Sequence, residues 1–113
     1  MADCLFCAIA KGEIPSAKVY EDDLVYAFRD INPQARKHIL VIPKDHICSC
    51  ADINEENSAV IAHIFEVIPK IVISEGITNG FRVVSNSGPD GCQSVRHLHF
   101  HILGGEPLSD KMA

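Results

Sequence analysis

His97-Leu98-His99-Phe100-His101 places three imidazoles at alternate positions. That is the period of a β-strand, in which residues i, i+2 and i+4 share a face. The three histidines are expected on one face, about 6.5–7 Å apart at Cα, with Leu98, Phe100 and Ile102 on the other. Gly104-Gly105 should end the strand, and Gly88-Pro89-Asp90-Gly91 should turn the chain into it. Three chemistries compete for such a face. A three-histidine catalytic zinc site is one, but three successive alternates on a flat strand diverge too far for one ion. Plain hydrogen-bonded polar positions are usual for one histidine and a poor account of three. Phosphorus chemistry fits better. A neutral imidazole is a good nucleophile near pH 7 because its ordinary pKa is about 6.5. A second histidine can donate to phosphoryl oxygens, and Ser94 with the amides around Gly91 can meet developing negative charge. His99 has an imidazole on each side and is the natural nucleophile.

Other residues carry weaker chemical signals. Cys4 and Cys7 stand at metal-ligand spacing, C-x₂-C, though one pair reads equally well as two small buried hydrophobes. His46 is a possible further ligand, unremarkable by itself. Cys48 and Cys50 suggest no role. His38, alone at a strand start, reads first as structural. Asp30 ends a strand, where it can cap the following loop or accept hydrogen bonds from a sugar diol; residue chemistry favours the cap.

The elements that must position these residues follow from periodicity. Residues 4–11 read as a short helix with Asp3 as N-cap and Gly12 as its stop. Lys18–Glu21 and Leu24–Arg29 read as a hairpin turning at Asp22-Asp23. His38–Pro43 reads as a buried central strand. Asn54 should cap a long helix reaching residue 75, with Val60, Ile61, Ile64, Phe65, Ile68, Ile71 and Val72 as its apolar stripe. Pro69 should kink that helix without ending it. His63 falls on the polar side and is expected to be solvated. Phe81–Asn86 is the strand before the histidines. The tally predicts an α+β fold with a five-stranded antiparallel sheet, one long helix and one short helix. Both helices are expected on one face and the histidines on the other.

At 113 residues with 47% hydrophobic content, the chain is expected to form one domain, 1–113. A formal net charge of -5 argues against nucleic acid and anionic membrane as partners. No apolar run approaches the roughly 18 residues of a membrane span. Met1-Ala2-Asp3-Cys4 lacks a basic segment before an apolar core, so no signal peptide is expected. Five cysteines without export signals fit a reducing cytoplasm.

His97 through Leu103 resembles the histidine-triad signature, His-φ-His-φ-His-φ-φ with φ apolar. Phe6 through Pro15, Phe28-x-Asp30-Ile31, His38 through His46, and Gly91-x-Gln93-Ser94 resemble the Hint branch, the histidine-triad nucleotide-binding proteins, over nearly the whole chain. The resemblance implies a hydrolase that cleaves the P–N bond of purine nucleoside 5′-phosphoramidates through a nucleotidyl-histidine intermediate. It leaves two alternatives open, a dinucleoside polyphosphate hydrolase and a nucleotide-binding regulatory protein with incidental turnover. It implies His99 as nucleophile, with His101 and Ser94 at the phosphate and leaving group, and His97 and His38 as supporting members of the catalytic set. It implies a nucleotide site from Leu5, Phe6, Ile9, Phe28 and Ile31, with Asp30 now as ribose acceptor. Asn86, Gly91, Gln93, Ser94, His99 and His101 complete that site near the phosphates. It implies structural zinc on Cys4, Cys7, His46 and His97, no organic cofactor, and a homodimer that continues the sheet across its two-fold. Cys92 and Arg96 depart from the Gly and Tyr of many Hint-like members, and the tail from Glu106 carries no tryptophan.

Overall fold

The computed structural model describes residues 4–112. Five strands form one antiparallel sheet in the order β1-β2-β3-β5-β4. They are β1 (Lys18–Glu21), β2 (Val25–Arg29), β3 (Lys37–Pro43), β4 (Phe81–Val84) and β5 (Phe100–Gly104). A short helix α1 (Leu5–Ala10) precedes them, and a long helix α2 (Ser58–Ser74) joins β3 to β4. The expected fold class and the central place of β3 are both observed.

Strand alternation divides the sheet into two faces. Val25 and Ala27, Ile39 and Val41, and Phe100 and Ile102 form the main core with α2. Ile64, Val67, Ile68, Ile71 and Val72 supply the buried stripe of α2, at the i, i+3, i+4, i+7, i+8 spacing of one helical face. Each such aliphatic side chain, fully buried, contributes about 1.5–3 kcal/mol before entropy is counted. Tyr26 and Phe28, with Leu40 and Ile42, form a second core against Phe6 and Ile9 of α1. The two helices therefore lie on opposite faces, not on one. The reason is in the strands: both faces of β2 and β3 are apolar, so each needs its own cover.

The helix ends also depart from expectation. Asp3, the expected cap of α1, lies outside the described residues. Cys4 is the observed N-cap, its sulfur accepting from the Cys7 N–H. Asn54 does not start α2. Its side chain accepts from Glu56 and Asn57 N–H groups and closes a separate turn, so the helix begins four residues later. Pro69 falls on the solvated side, and α2 runs through it to Ser74. At the far end Gly76 adopts φ 71°, and Gly76 and Ile77 N–H groups bond back to Ile73 and Val72. This closing motif needs a residue that tolerates positive φ, and buries Ile77 beside the last turn. His63 is not simply solvated. Its Nε2 lies 2.7 Å from Asp22 Oδ2, pinning α2 to the β1–β2 turn.

The histidine segment is only partly strand. Ladder pairing begins at Phe100, so His97 and His99 precede β5 and only His101 lies in it. Other bonds hold the earlier residues: Leu98 N–H donates to Ile47 O, and the Ser85 hydroxyl donates to His99 O at 2.8 Å. The Ser85 side chain takes the acceptor a longer β4 would have used, and β4 stops at Val84 rather than Asn86. Alternation nevertheless survives. Leu98, Phe100 and Ile102 enter the main core while the three imidazoles meet the side covered by α1. Among the described residues, no helix is long and apolar enough to cross a membrane.

Candidate active site and metal centre

The three triad imidazoles occupy different surroundings. His97 is fully buried, and its Nε2–H donates to the Pro43 carbonyl at 2.9 Å. A carbonyl only accepts, so the lone pair of His97 sits on Nδ1. That atom lies 3.3 Å from Cys4 Sγ and 3.5 Å from Cys7 Sγ. His46 completes the group with Nδ1 3.4 Å from Cys7 Sγ. All four ligand atoms fall within 4.8 Å of one another. Burial holds the His97 pKa down to about 4, reinforced by His46 and His99. Burial, with Cys4 beside it, raises the Cys7 thiol.

His99 turns the other way. Its Nδ1–H donates to the His97 carbonyl at 2.7 Å, leaving the Nε2 lone pair free. Its ring packs edge-on against Phe6, with centroids 5.1 Å apart, and lies 5.0 Å from the His101 ring. His97 thus orients His99 through its backbone, not through its imidazole.

His101 belongs to a relay. The Gln34 N–H donates to His38 Nδ1 at 3.0 Å, so His38 carries its proton on Nε2. That N–H donates to His101 Nδ1 at 2.8 Å, which leaves His101 with an Nε2–H of its own. Burial holds the His101 pKa down to about 4, with His99 and His38 adding to the effect against the Asp30 carboxylate. Burial lowers His38 as well. Asp30 Oδ2 lies 3.4 Å from His38 Nε2. Asp30, His38 and His101 are close enough to be considered as metal ligands. Their 2.8 Å N···N contact is instead a hydrogen bond, since a shared zinc would hold two nitrogens about 3.3 Å apart.

Beside His99 and His101 lies a cavity of about 220 Å³. Leu5, Phe6 and Ile9 of α1 form one wall, and Phe28 and Leu40 form the floor. Phe28, Leu40 and His101 stand opposite one another across β2, β3 and β5, which explains why they share this surface. Asp30, Ile31 and Ser94 stand at the rim. Asp30 serves the cap as well, since Oδ1 accepts from the Asn32 N–H at 2.8 Å.

The structure brings together Cys4, Cys7, His46 and His97 in one group, and His99, His101, Ser94, Asp30 and the α1 residues around one cavity. Asn86, Gly91 and Gln93 do not line it. Gln93 is a brace: its amide donates to the Cys48 and Val95 carbonyls and accepts from the Gly88 N–H. With its donors and acceptor engaged there, it is not a phosphate contact in this arrangement. Gly91 is needed for close approach, since a Cβ there would sit 2.5 Å from the Ser87 carbonyl oxygen. Sequence reading missed Leu40, Val95 and the Gln34 and Pro43 backbone groups. Leu40 was findable, two residues from His38 on the same strand face; backbone partners have no side-chain signature.

The family model described as scavenger mRNA decapping enzyme C-term binding matches residues 3–112. The chain belongs to the histidine-triad family. A solved histidine-triad protein from Clostridium difficile is 53% identical, with a TM-score of 0.95 over 98% of this chain and 97% of that one. The purine nucleoside phosphoramidase of Escherichia coli is 44% identical over 98% of this chain and 94% of its own. A 14 kDa zinc-binding protein of Zea mays is 48% identical over 93% of this chain and 84% of its own.

The metal group of this histidine-triad chain fits zinc by geometry. Tetrahedral zinc with ordinary bond lengths sets sulfur and nitrogen ligands about 3.5 Å apart. Three of the four S···N separations are 3.3, 3.4 and 3.5 Å, and the fourth is within 4.8 Å. The donor set of two thiols and two imidazoles suits it, and the Pro43 carbonyl already fixes the His97 tautomer that ligation requires. All five cysteines are free of disulfides. Cys92, one of the departures from the Hint pattern, is at φ 61°, the only non-glycine with positive φ among the described residues.

Proposed function

We propose that this histidine-triad hydrolase cleaves purine nucleoside 5′-phosphoramidates. The observation that carries the reading is the opposed tautomer pair at the cavity: a lone pair on His99 Nε2 beside an N–H on His101 Nε2. The similarity to a purine nucleoside phosphoramidase over nearly the full length supports it. In this mechanism the nucleoside lies against Leu5, Phe6, Ile9, Phe28 and Ile31, with Asp30 accepting from the ribose hydroxyls. His99 Nε2 attacks the α-phosphorus. The P–N bond to the amine breaks, and the departing nitrogen takes a proton from water. His101 Nε2–H and Ser94 hold phosphoryl oxygens as charge builds. Water then attacks the nucleotidyl-histidine, the P–N bond to His99 breaks, and nucleoside monophosphate leaves with a proton returned to solvent.

Zinc held by Cys4, Cys7, His46 and His97 would have four protein ligands and no open position, so it would serve structure alone. Those residues tie α1 to the segment whose carbonyl orients His99. A homodimer is part of the same proposal. The outer edge of β4 is unpaired among the described residues, and Phe81, Phe65 and Ile73 are exposed near it or along α2.

The test is nucleotide release from adenosine 5′-phosphoramidate and from diadenosine polyphosphates, by wild type and by His99→Asn. Release from the phosphoramidate that fails in His99→Asn supports the reading. Turnover of the polyphosphate alone would transfer the activity to P–O–P cleavage. Binding of AMP without turnover of either would make the chain a nucleotide-binding protein.

A further inference from the structure

Next to the nucleotide cavity lies a second, larger hollow of about 510 Å³. The two share Leu5, Ser94 and Val95 as a common wall. Past that wall the larger one is lined by Cys4 and His46, which also belong to the metal group, and by Cys48 and Arg96. Its charge is unusual for this chain. The sequence holds fifteen acidic against ten basic residues, yet no residue lining this hollow is acidic. Arg96 is its one fixed cation. The Arg96 side chain is exposed and makes no ion pair among the described residues. Gln93, the polar neighbour that could compete for a ligand, is already engaged with backbone carbonyls.

We infer that this hollow is the subsite for the leaving group, and that Arg96 selects leaving groups carrying an anion, carboxylate or phosphate. The inference rests on the phosphoramidase reading above and deepens it. With the nucleoside in the apolar cavity and the phosphorus over His99, Ser94 stands at the junction of the two spaces. The part of the substrate beyond the scissile bond then crosses Ser94 toward Arg96. A guanidinium presents a planar fork that binds carboxylate or phosphate through two parallel hydrogen bonds. An apolar amine gains nothing from it.

The experiment compares three adenosine 5′-phosphoryl substrates in wild type, Arg96→Gln and Arg96→Lys. One carries a neutral amine on phosphorus, the second the same amine bearing a carboxylate, and the third a phosphate leaving group. The quantity read is the ratio of kcat/KM for each anionic substrate to that for the neutral one. Taken within one preparation, the ratio is independent of how much of a variant is folded. We expect a charge-assisted pair to favour an anionic substrate about tenfold, chiefly through KM. Arg96→Gln abolishes that preference, and Arg96→Lys restores part of it. Whether the carboxylate or the phosphate substrate loses its advantage identifies the anion. Equal ratios in wild type and Arg96→Gln for both anions overturn the inference. Failure of wild type to turn over any of the three overturns the phosphoramidase reading, and the inference falls with it.

Discussion

His38 Nε2 lies 2.8 Å from His101 Nδ1, and the direction of that hydrogen bond is set from outside the pair. The Gln34 amide can only donate, so each imidazole in turn is forced into one tautomer. The outcome is an N–H at the cavity beside the lone pair of His99.

His38→Phe keeps a planar ring and removes the relay. His101 can then place its proton on either nitrogen. We expect kcat to fall about 10–100-fold with little change in KM, the usual scale for losing a partner that orients an active-site imidazole. Steady-state kinetics on adenosine 5′-phosphoramidate read both constants.

Two histidines should titrate on opposite sides of the ordinary value. His101, held down by burial and by its neighbours His99 and His38, should titrate near pH 4. His63, hydrogen-bonded to Asp22, should titrate above 6.5. Ring-proton chemical shifts against pH read each directly. The signs for stability differ. His101 binds its proton more weakly folded than unfolded, so it makes stability rise with pH between about 4 and 6.5. The His63–Asp22 pair adds stability that is complete below about pH 6.5 and lost as pH rises through the raised folded value. The Tm deficit of His63→Ala should therefore be larger at pH 6 than at pH 9.

Cys7→Ser changes one buried ligand atom and little volume. Bound zinc, measured by elemental analysis of the purified chain, should fall from one per chain to far below it. Tm should drop by more than about 5 °C, the shift expected for a loss of 1 kcal/mol or more in a domain of this size. Retention of metal and Tm would remove Cys7 from the proposed centre.

The loop before the triad offers a pair of opposite outcomes. Gly91→Ala drives a methyl to 2.5 Å from the Ser87 carbonyl oxygen, and overpacking against backbone should cost about 1–3 kcal/mol. Cys92→Gly relieves a left-handed backbone at φ 61° and should stabilise by about 1 kcal/mol. Urea midpoints of the two variants should move in opposite directions.

The alternation of His97, His99 and His101 was enough to set the imidazoles apart from Leu98, Phe100 and Ile102, because side-chain period survives even where ladder bonds do not. The strand's start was not legible, since it depends on Ser85 and Ile47 bonding the segment from distant parts of the chain. The apolar content of both faces of β2 and β3 could have placed α1 opposite α2. Asn54 reads as a helix cap in the sequence because a cap and an isolated turn use the same side-chain bond. The clustering of Cys4 and Cys7 with His46 and His97 was legible only through family resemblance, since spacing alone cannot bring together residues ninety positions apart. Gln93 was legible as polar, but whether it faces phosphate or braces a loop is decided by the Cys48 and Val95 carbonyls.

In the proposed mechanism His99 forms the covalent intermediate. Acid quenching during turnover of adenosine 5′-phosphoramidate, followed by peptide mapping, tests it directly. An adenylyl group is expected on His99 in wild type and none in His99→Asn, together with loss of turnover in that variant. Turnover that persists in His99→Asn, or an adenylyl group found on His101, would contradict it.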